Sequence, residues 1–558
     1  MANKQEAGTQ STTGRNNNIN PDDEIFRKHM HLLRSAVKSA SINSADDAPI
    51  FTNVIQRHGM KAQAHKKNKK ATSGKPVVST IFNQFGLLAG DCEGIESEIG
   101  DPRLFYNVAA PSSAFICGSQ GSGKSHTLSC LLENCLVASD TNVLPRPLSG
   151  IAFHYDSFTS DSAGSPCEAA YLSSHSGVKV RVLCAPTNTA HIKRIYKRLP
   201  NVRIEELQIK QTDLNTQRML HLMGASIDND SMPLYLHVVI RILRDLKMKL
   251  QQSNRGFDYA QFKLALQNEK FNQGQEVPLQ QRLDVLESFI PQAQRLTSDP
   301  SKMKKAPQKP NLTKGQTAEG LKEGIDWLPK AGELTIVDLS CPCITAEMAC
   351  SLFRICLDLF MEQKADIGRI VALDEAHKYM KGGTECQTLT EALLEAIRLQ
   401  RHQGLRVFIS TQEPTISTRL LDLCSITIVH RFSSPDWLQV LQKHLAGASS
   451  CSPVTGANVT NGDKSGPSGE AQGINPLALE SGSPTAELLS RIVSLRTGEA
   501  LLFGPNILLG KVRGESNGIS GTNSKLVQEG FQRLGLKFLR VQIRQRITKD
   551  GGRSITAV

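Results

Sequence analysis

The sequence has no run of about 18 apolar residues, the length that a membrane-spanning helix requires. It begins Met-Ala-Asn-Lys-Gln-Glu, without the apolar region of a signal peptide. Aromatic residues are also scarce, with 2 Trp and 7 Tyr among 558 residues. We therefore predict no membrane contact and no aromatic platform for stacking single-stranded nucleic acid.

The 13 cysteines are scattered and lack the close, even spacing of a disulfide framework, which indicates an intracellular compartment, nuclear or cytoplasmic. Cys341, Cys343, Cys350 and Cys356 are near one another in sequence, but their spacing is not that of a standard zinc site. The apolar helical pattern around the last two predicts cysteines that pack as small hydrophobic residues.

The formal net charge of +12 resides at the two ends of the chain. Residues 1–75 carry 13 Lys/Arg against 6 Asp/Glu, and residues 531–558 carry 7 against 1, so the middle has a net charge of −1. Basic ends can hold a polyanion such as double-stranded DNA. Solvated tails explain the same charges equally well.

A glycine-rich segment gives the strongest functional signal, Gly118-x-x-x-x-Gly123-Lys124-Ser125. An apolar run at 114–117 predicts a buried strand before it, and a helical pattern follows it. In such a loop, backbone N–H groups converge on a phosphate, the lysine pairs with the β- and γ-phosphates, and the serine hydroxyl binds Mg²⁺. A glycine-rich turn with a chance lysine would not explain the flanking strand and helix. We predict an ATP site formed by Gly118, Ser119, Gln120, Gly121, Ser122, Gly123, Lys124, Ser125 and His126.

Two further strands end in polar residues suited to hydrolysis. The apolar run 369–373 is followed by Asp374, which would hold Mg²⁺, and by Glu375, which would polarise the attacking water. The next strand ends at Gln412, an amide that can reach a γ-phosphate or the water, although a turn before Pro414 would also explain it.

Between these strands, a predicted helix at 384–402 carries Arg398 and Arg401 on one face. They can stabilise the charge that develops on a phosphate of a neighbouring subunit. Equally, they can be surface cations near a helix C-terminus, where positive charge is favoured. Arg431, after the run 426–430, is a further candidate.

The pattern of short apolar runs predicts an α/β fold with a mostly parallel sheet and a helical insertion. The predicted strands are 114–117, 151–155, 178–184, 333–339, 369–373, 406–410, 426–430 and 499–503. We expect insertion helices at 233–250, 258–270 and 278–290. The predicted segments are a mostly disordered basic region (1–103), a first core part (104–199), the insertion and its linker (200–330), a second core part (331–446), a disordered loop (447–484) and a C-terminal core segment with a basic tail (485–558).

The order of these motifs resembles that of the HerA/FtsK superfamily of ring-forming ATPases. The resemblance is carried by the P-loop and by 334–340, 373–377, 410–414 and 495–500, and it covers about 104–140 and 331–510. It implies a RecA-like fold, a catalytic glutamate at Glu375, a sensor glutamine at Gln412 and a hexameric motor that moves DNA. The chain departs from the pattern in its polar residues 1–103, where archaeal members carry a further domain, and in its insertion.

The sequence therefore predicts an Mg²⁺-dependent ATPase. Two functional classes are compatible with it. The first is a homo-oligomeric motor of the HerA/FtsK type acting on double-stranded DNA. The second is a nucleotide-dependent switch or scaffold that controls a protein partner without translocation. A P-loop kinase is disfavoured, because Asp374, Glu375 and Gln412 suit water as the nucleophile.

Overall fold

The computed structural model describes residues 47–57, 82–98, 100–157, 164–223, 234–253, 257–291, 324–445, 448, 484–511 and 531–551. The predicted disorder of 1–103 and 447–484 falls largely outside these residues, which include 47–57, 82–98 and 100–103 of the first segment and 448 and 484 of the second. The residues 48–558 are grouped by their contacts into one unit. Among the described residues, no helix combines the length and apolar character needed to cross a membrane.

One sheet organises the described residues. Its sixteen strands are β1 (Ile50–Thr52), β2 (Phe85–Asp91), β3 (Arg103–Asn107), β4 (Ser113–Cys117), β5 (Asn142–Val143), β6 (Ser149–His154), β7 (Lys179–Cys184), β8 (Val202–Glu206), β9 (Glu333–Asp338), β10 (Arg369–Leu373), β11 (Leu405–Thr411), β12 (Ile426–Val429), β13 (Glu499–Phe503), β14 (Leu508–Lys511), β15 (Phe531–Arg533) and β16 (Phe538–Ile543).

Eight neighbouring strands form the parallel half of the sheet, in the order β12-β4-β11-β10-β6-β9-β7-β8. The strands β4, β6, β10, β11 and β12 are buried at every residue. This is the reason for their continuous apolar sequences, because helices cover both faces of a parallel sheet. The predicted parallel α/β fold is confirmed.

An antiparallel extension continues the sheet beyond β12, in the order β13-β16-β2-β3-β1. Here the structure differs from the sequence-based expectation that the ordered body begins near residue 104. Strands β1 and β2 precede that point, and Ile50 and Phe51 are fully buried. Strand β1 has only three residues, and the seven of β2 include two glycines and a final aspartate, so neither gives a clear periodic signal in the sequence.

Residues 53–57 are helical, and twelve further α-helices of the described part of the chain accompany the sheet. They are α1 (Cys92–Ser97), α2 (Lys124–Leu136), α3 (Thr189–Tyr196), α4 (Thr216–Leu222), α5 (Leu234–Ser253), α6 (Tyr259–Gln267), α7 (Gln273–Ser288), α8 (Ala346–Glu362), α9 (Thr384–Gln403), α10 (Thr418–Leu423), α11 (Pro435–His444) and α12 (Pro484–Ser494).

Two buried apolar clusters lie on the two faces of the sheet. One contains β4 residue Ile116 and α2 residues such as Leu131; the other contains Phe115 with residues of α8 and α9. The insertion helices α4–α7 join the second cluster through residues such as Phe262 and Leu283. Strand β8 pairs with β7, so the segment 200–330 begins inside the sheet before it turns helical.

Candidate nucleotide site

The ends of three parallel strands bring the predicted site residues to one edge of the sheet. Cys117 at the end of β4 pairs with Thr411 at the end of β11, and Leu373 at the end of β10 pairs with Ile409. The strand that ends at Gln412 therefore lies between the P-loop strand and the strand that carries Asp374 and Glu375. Residues separated by about 250 positions in sequence become neighbours because parallel strands end at the same edge.

The segment 118–123 forms a tight loop between β4 and α2. Gly118 has φ +151°, and a Cβ there would lie 2.7 Å from the Cβ of His430, so the position requires glycine. Gly123, with φ +111°, precedes the first residue of α2. The Ser119 N–H and hydroxyl both donate to the Arg431 carbonyl at 2.8 Å, and the Ser122 hydroxyl donates to Ser119 O at 2.7 Å. These bonds shape the loop without using its other N–H groups at Gly121 and Gly123.

Lys124 begins α2 and is 4% exposed. Its Nζ donates to the Ser119 carbonyl at 3.0 Å. Burial lowers the pKa of Lys124, while the nearby carboxylates Glu375 and Asp374 oppose this shift. A buried ammonium with one carbonyl partner leaves two further N–H donors, which suits a phosphate. Of the other predicted residues, Gln120 is exposed at the loop tip, and Ser125 is half-buried in the first turn of α2.

Asp374 follows β10 and is 2% exposed. Its Oδ2 lies 3.6 Å from His154 Nδ1 and 3.7 Å from Cys167 Sγ, whereas Oδ1 has no partner among the described residues. Burial raises the pKa of Asp374, but contacts with His154 and Cys167 outweigh it and hold the pKa below its usual value. The carboxylate is therefore ionised with one oxygen unused, as a Mg²⁺ shell requires.

Glu375 adopts a left-handed backbone conformation, φ +50° and ψ +44°, which non-glycine residues seldom take. Its Oε2 accepts a hydrogen bond from Gln412 Nε2 at 3.2 Å and lies 3.4 Å from His377 Nε2. Burial raises the pKa of Glu375, and Asp374 raises it further, while Lys124 and Lys378 act against them. Burial also lowers the pKa of His377 to about 4, so this imidazole is neutral at pH 7.

The structure does not bring three of the predicted residues to the P-loop. His126 turns towards the C-terminal segment, with its Nε2 2.7 Å from the Arg544 carbonyl. Arg398 and Arg401 are exposed near the C-terminus of α9. Gly404, next to that end, accepts a hydrogen bond from Arg369 N at the start of β10, so both arginines lie towards the opposite edge of the sheet from their own P-loop.

Sequence reasoning missed His430, which is fully buried beneath the P-loop. Its Nδ1 lies 2.9 Å from the Glu499 carbonyl, and its Nε2 lies 2.8 Å from the Thr127 hydroxyl. A carbonyl can only accept, so Nδ1 carries the proton and Nε2 accepts from Thr127. Burial lowers the pKa of His430 to about 4. This neutral imidazole joins α2 to β13; a polar residue ending a buried strand was its only sequence signal.

The C-terminal segment 544–548 was also missed as part of the site. Glu133 on α2 is fully buried and accepts from Arg544 at 2.7 Å, from the N–H of Ile547 at 3.1 Å and from the N–H and hydroxyl of Thr548 at 2.9 and 2.6 Å. The segment thereby holds the outer surface of the helix that begins with Lys124. One acidic residue in an apolar helix was the only signal.

No protein-family model and no curated protein matches the sequence. The fold is similar to that of VirB4 of Thermoanaerobacter pseudethanolicus, at 10% identity and a TM-score of 0.44 over 85% of this chain and 99% of that one. It is also similar to the genome packaging NTPase B204 of Sulfolobus turreted icosahedral virus 2, at 15% identity and a TM-score of 0.20 over 31% of this chain and 63% of that one. A third similar structure is the cytoplasmic domain of the Thermomonospora curvata type VII secretion ATPase EccC, at 11% identity and a TM-score of 0.22 over 66% of this chain and 26% of that one.

These likenesses concern the fold, and no residue role is taken from them. Within this chain, a P-loop follows β4, and one additional strand, β11, separates β4 from the acidic strand β10. The chain has the α/β fold of a P-loop NTPase.

Proposed function

We propose that the chain binds ATP with Mg²⁺ at 118–125 and hydrolyses it with a water molecule activated by Glu375. The observation that carries this proposal is the contact between Gln412 Nε2 and Glu375 Oε2, at the same edge as the P-loop. A buried carboxylate and an amide from adjacent strands can orient one water molecule for attack on a γ-phosphate.

The residues at this edge suit the proposed metal. Mg²⁺ prefers oxygen ligands and usually takes few from the protein. The Ser125 hydroxyl in the first turn of α2 and the unpartnered Asp374 Oδ1 would supply them. The bound ion would neutralise charge on the β- and γ-phosphates, together with Lys124.

Burial supports Glu375 as the base. A carboxylate with a raised pKa takes a proton from water more readily than an ordinary one. Burial and Asp374 raise the pKa of Glu375, and the hydrogen bond from Gln412 fixes the orientation of its Oε2. We assign His377 to holding the Glu375–Gln412 pair, since its Nδ1 accepts from Gln412 N at 3.3 Å and its Nε2 lies 3.4 Å from Glu375 Oε2.

We further propose a homo-oligomeric ring that acts on double-stranded DNA. Arg398 and Arg401 are exposed away from their own P-loop, so they can reach only a nucleotide held by another subunit. A cation contributed in this way can stabilise the transition state by several kcal/mol, about 3–4 for one well-placed donor. The motif order of the HerA/FtsK type supports the same arrangement.

The second candidate is an ATP-dependent switch that controls a protein partner. It is favoured by the net charge of −1 between the basic ends and by the packing of insertion helices α4–α7 onto the same apolar cluster as α8 and α9. Helix α4 packs against α8, and both contribute to the buried cluster that contains Leu373, the residue before Asp374. A nucleotide-dependent change at Asp374 would be transmitted to the surface through this cluster.

Turnover and mass together separate the two candidates. The full chain should be assayed for ATP hydrolysis with and without double-stranded DNA, and its mass measured with and without ATP. A ring whose hydrolysis rises with DNA supports the motor. A monomer that hydrolyses ATP without regard to DNA contradicts the motor and supports the switch.

A further inference from the structure

Two side chains that no predicted function requires converge on the proposed Mg²⁺ ligand Asp374, and the three form a cluster beside the nucleotide site. They are His154 at the end of β6, Cys167 before a short 3₁₀ helix, and Asp374 after β10. One ligand atom from each lies within 4.8 Å of the other two. The three residues are buried: His154 is 6% exposed, Cys167 is fully buried, and Asp374 is 2% exposed.

Three polar atoms of this cluster have no hydrogen-bond partner within the described part of the chain: both ring nitrogens of His154 and the Oδ1 of Asp374. Asp374 Oδ2 lies 3.6 Å from His154 Nδ1 and 3.7 Å from Cys167 Sγ, which can donate to it. Buried polar groups in native proteins are almost always paired at shorter distances. A cation between the imidazole, the thiol and the carboxylate would satisfy all three groups.

The spacing fits a tetrahedral metal site. Zinc bonds of about 2.0–2.2 Å to nitrogen and oxygen and about 2.3 Å to sulfur place tetrahedral ligand atoms roughly 3.4–3.6 Å apart. The observed separations are 3.6 Å between His154 Nδ1 and Asp374 Oδ2 and 3.7 Å between Cys167 Sγ and the same oxygen. A mixture of nitrogen, sulfur and oxygen donors favours zinc over Mg²⁺, which takes oxygen ligands.

Hydrogen bonds to neighbouring residues hold the backbone of two of these ligands, Cys167 and Asp374. The Tyr196 hydroxyl accepts from Cys167 N at 3.0 Å and donates to Asp338 Oδ2 at 2.6 Å. Asp374 N donates to the Phe153 carbonyl at 3.1 Å, which ties the backbone of Asp374 to the residue before His154. Such supporting bonds orient the ligands of metal sites.

We propose that His154, Cys167 and Asp374 form a buried binding site for one zinc ion, with a fourth coordination position outside this set. Binding deprotonates the Cys167 thiol and releases that proton to solvent. Because Asp374 Oδ2 becomes a zinc ligand, its carboxylate has less negative charge to offer Mg²⁺. Zinc would then inhibit Mg²⁺-dependent hydrolysis, a consequence that rests on the proposed ATPase function, whereas the site does not.

Cobalt substitution tests the site directly. The full chain, stripped of metal with a chelator, is titrated with Co²⁺ alone, and the near-ultraviolet sulfur-to-cobalt charge-transfer band is recorded. We expect one equivalent of Co²⁺ to produce the band, Zn²⁺ to abolish it by displacement, and Cys167→Ser to lack it.

The matched control is Cys350→Ser. Cys350 is also buried, and its Sγ lies 3.3 Å from that of Cys386, so this pair is the competing thiol site. The band should survive in this variant. Loss of the band with Cys350→Ser but not with Cys167→Ser, or no band in the unmutated chain, overturns the proposal.

A second pair of measurements covers misfolding and the link to hydrolysis. If Cys167→Ser does not fold, His154→Gln should shift the band or weaken Co²⁺ binding; an unchanged titration overturns the proposal. Zn²⁺ should raise the melting temperature of the unmutated chain without ATP, even if the chain proves not to hydrolyse ATP. If it does hydrolyse ATP, Zn²⁺ should inhibit it more strongly than it inhibits Cys167→Ser.

Discussion

The side-chain amide of Gln412 donates to Glu375 Oε2 across two adjacent strand ends, at 3.2 Å. Glu375 follows β10 and Gln412 follows β11. Their contact places an acid–base group and a polar amide side by side. The first prediction depends on this pair.

Glu375→Gln should retain ATP binding and lose hydrolysis by about 10²–10⁴-fold, because a carboxamide cannot accept a proton from water. Nucleotide affinity and single-turnover hydrolysis should be measured separately. Glu413→Gln is the matched control, since Glu413 lies one residue beyond Gln412 and pairs with Lys381 at the surface. Hydrolysis at the unmutated rate in Glu375→Gln would show that Glu375 is not the base.

Lys124→Ala should weaken ATP binding by at least tenfold, which corresponds to about 1.4 kcal/mol. The lysine is the buried charge partner proposed for the phosphates. A fluorescent ATP analogue and thermal stabilisation by ATP both report the affinity. Lys330→Ala, which removes a surface lysine paired with Asp326, should bind as the unmutated chain does. Equal affinity in the two variants would remove Lys124 from the site.

Arg398 and Arg401 should act between subunits. The double variant Arg398→Ala/Arg401→Ala and the variant Lys124→Ala should each hydrolyse ATP poorly on their own. Mixing them should restore part of the activity, because a ring can then combine an intact P-loop with intact arginines from its neighbour. Arg419→Ala, another exposed arginine on this side of the fold, should remain active alone. No recovery on mixing, at equal oligomeric mass, contradicts the arrangement.

Acid should destabilise the fold through His430. Burial lowers the folded-state pKa of His430 from 6.5 to about 4. Above pH 6.5 the imidazole is neutral in both states, and its contribution is complete. As the pH falls towards 4, only the unfolded state gains the proton, so roughly 3 kcal/mol of stability is lost.

Denaturant unfolding at pH 7.5 and pH 5 measures this loss. His430→Gln should be less stable at pH 7.5 but should lose less stability on acidification. His221 and His377, whose pKa values burial also lowers to about 4, leave part of the acid sensitivity in place. The same pH dependence in His430→Gln and the unmutated chain would mean that His430 is not buried neutral.

Glu133→Ala should destabilise the chain by about 3–5 kcal/mol, because it leaves Arg544 buried without its carboxylate. Burial raises the pKa of Glu133, yet hydrogen bonds from Thr548 and the charge of Arg544 hold it below its usual value. Thermal unfolding measures the effect. Glu487→Ala, which removes one partner of an exposed pair with Arg491, should change stability by less than about 1 kcal/mol.

The parallel half of the fold was predictable because each buried strand is a short apolar run. Seven of its eight strands were predicted, with boundaries within about two residues, and the remaining predicted strand, 499–503, is the antiparallel strand β13. Strand β8, with the mostly polar sequence Val-Arg-Ile-Glu-Glu, was not predicted. The pairing of Asp374 and Glu375 with the P-loop edge also followed from the sequence, since each motif ends such a strand. The sequence could not show which way each side chain points. His126 directly follows the P-loop pattern, yet its ring contacts the carbonyl of Arg544.

The remaining features depend on contacts between distant residues. His430 becomes part of the site only because β12 lies beside β4, and Glu133 becomes buried only because 544–548 returns to cover α2. Neither contact leaves a local pattern. The same is true of β1, which pairs with β3 and β14, and of β2, which pairs with β3, β5 and β16.

Glu133 and Thr548 form a hydrogen bond although they are 415 residues apart in sequence. During synthesis, Glu133 is therefore made long before its partner. Lys124 and its helix leave the ribosome early, but the residues that cover the helix emerge after most of the chain. At about 5–20 residues per second, the interval is of the order of half a minute. Until 544–548 has been made, Glu133 on α2 lacks the hydrogen bonds that it accepts in the folded chain.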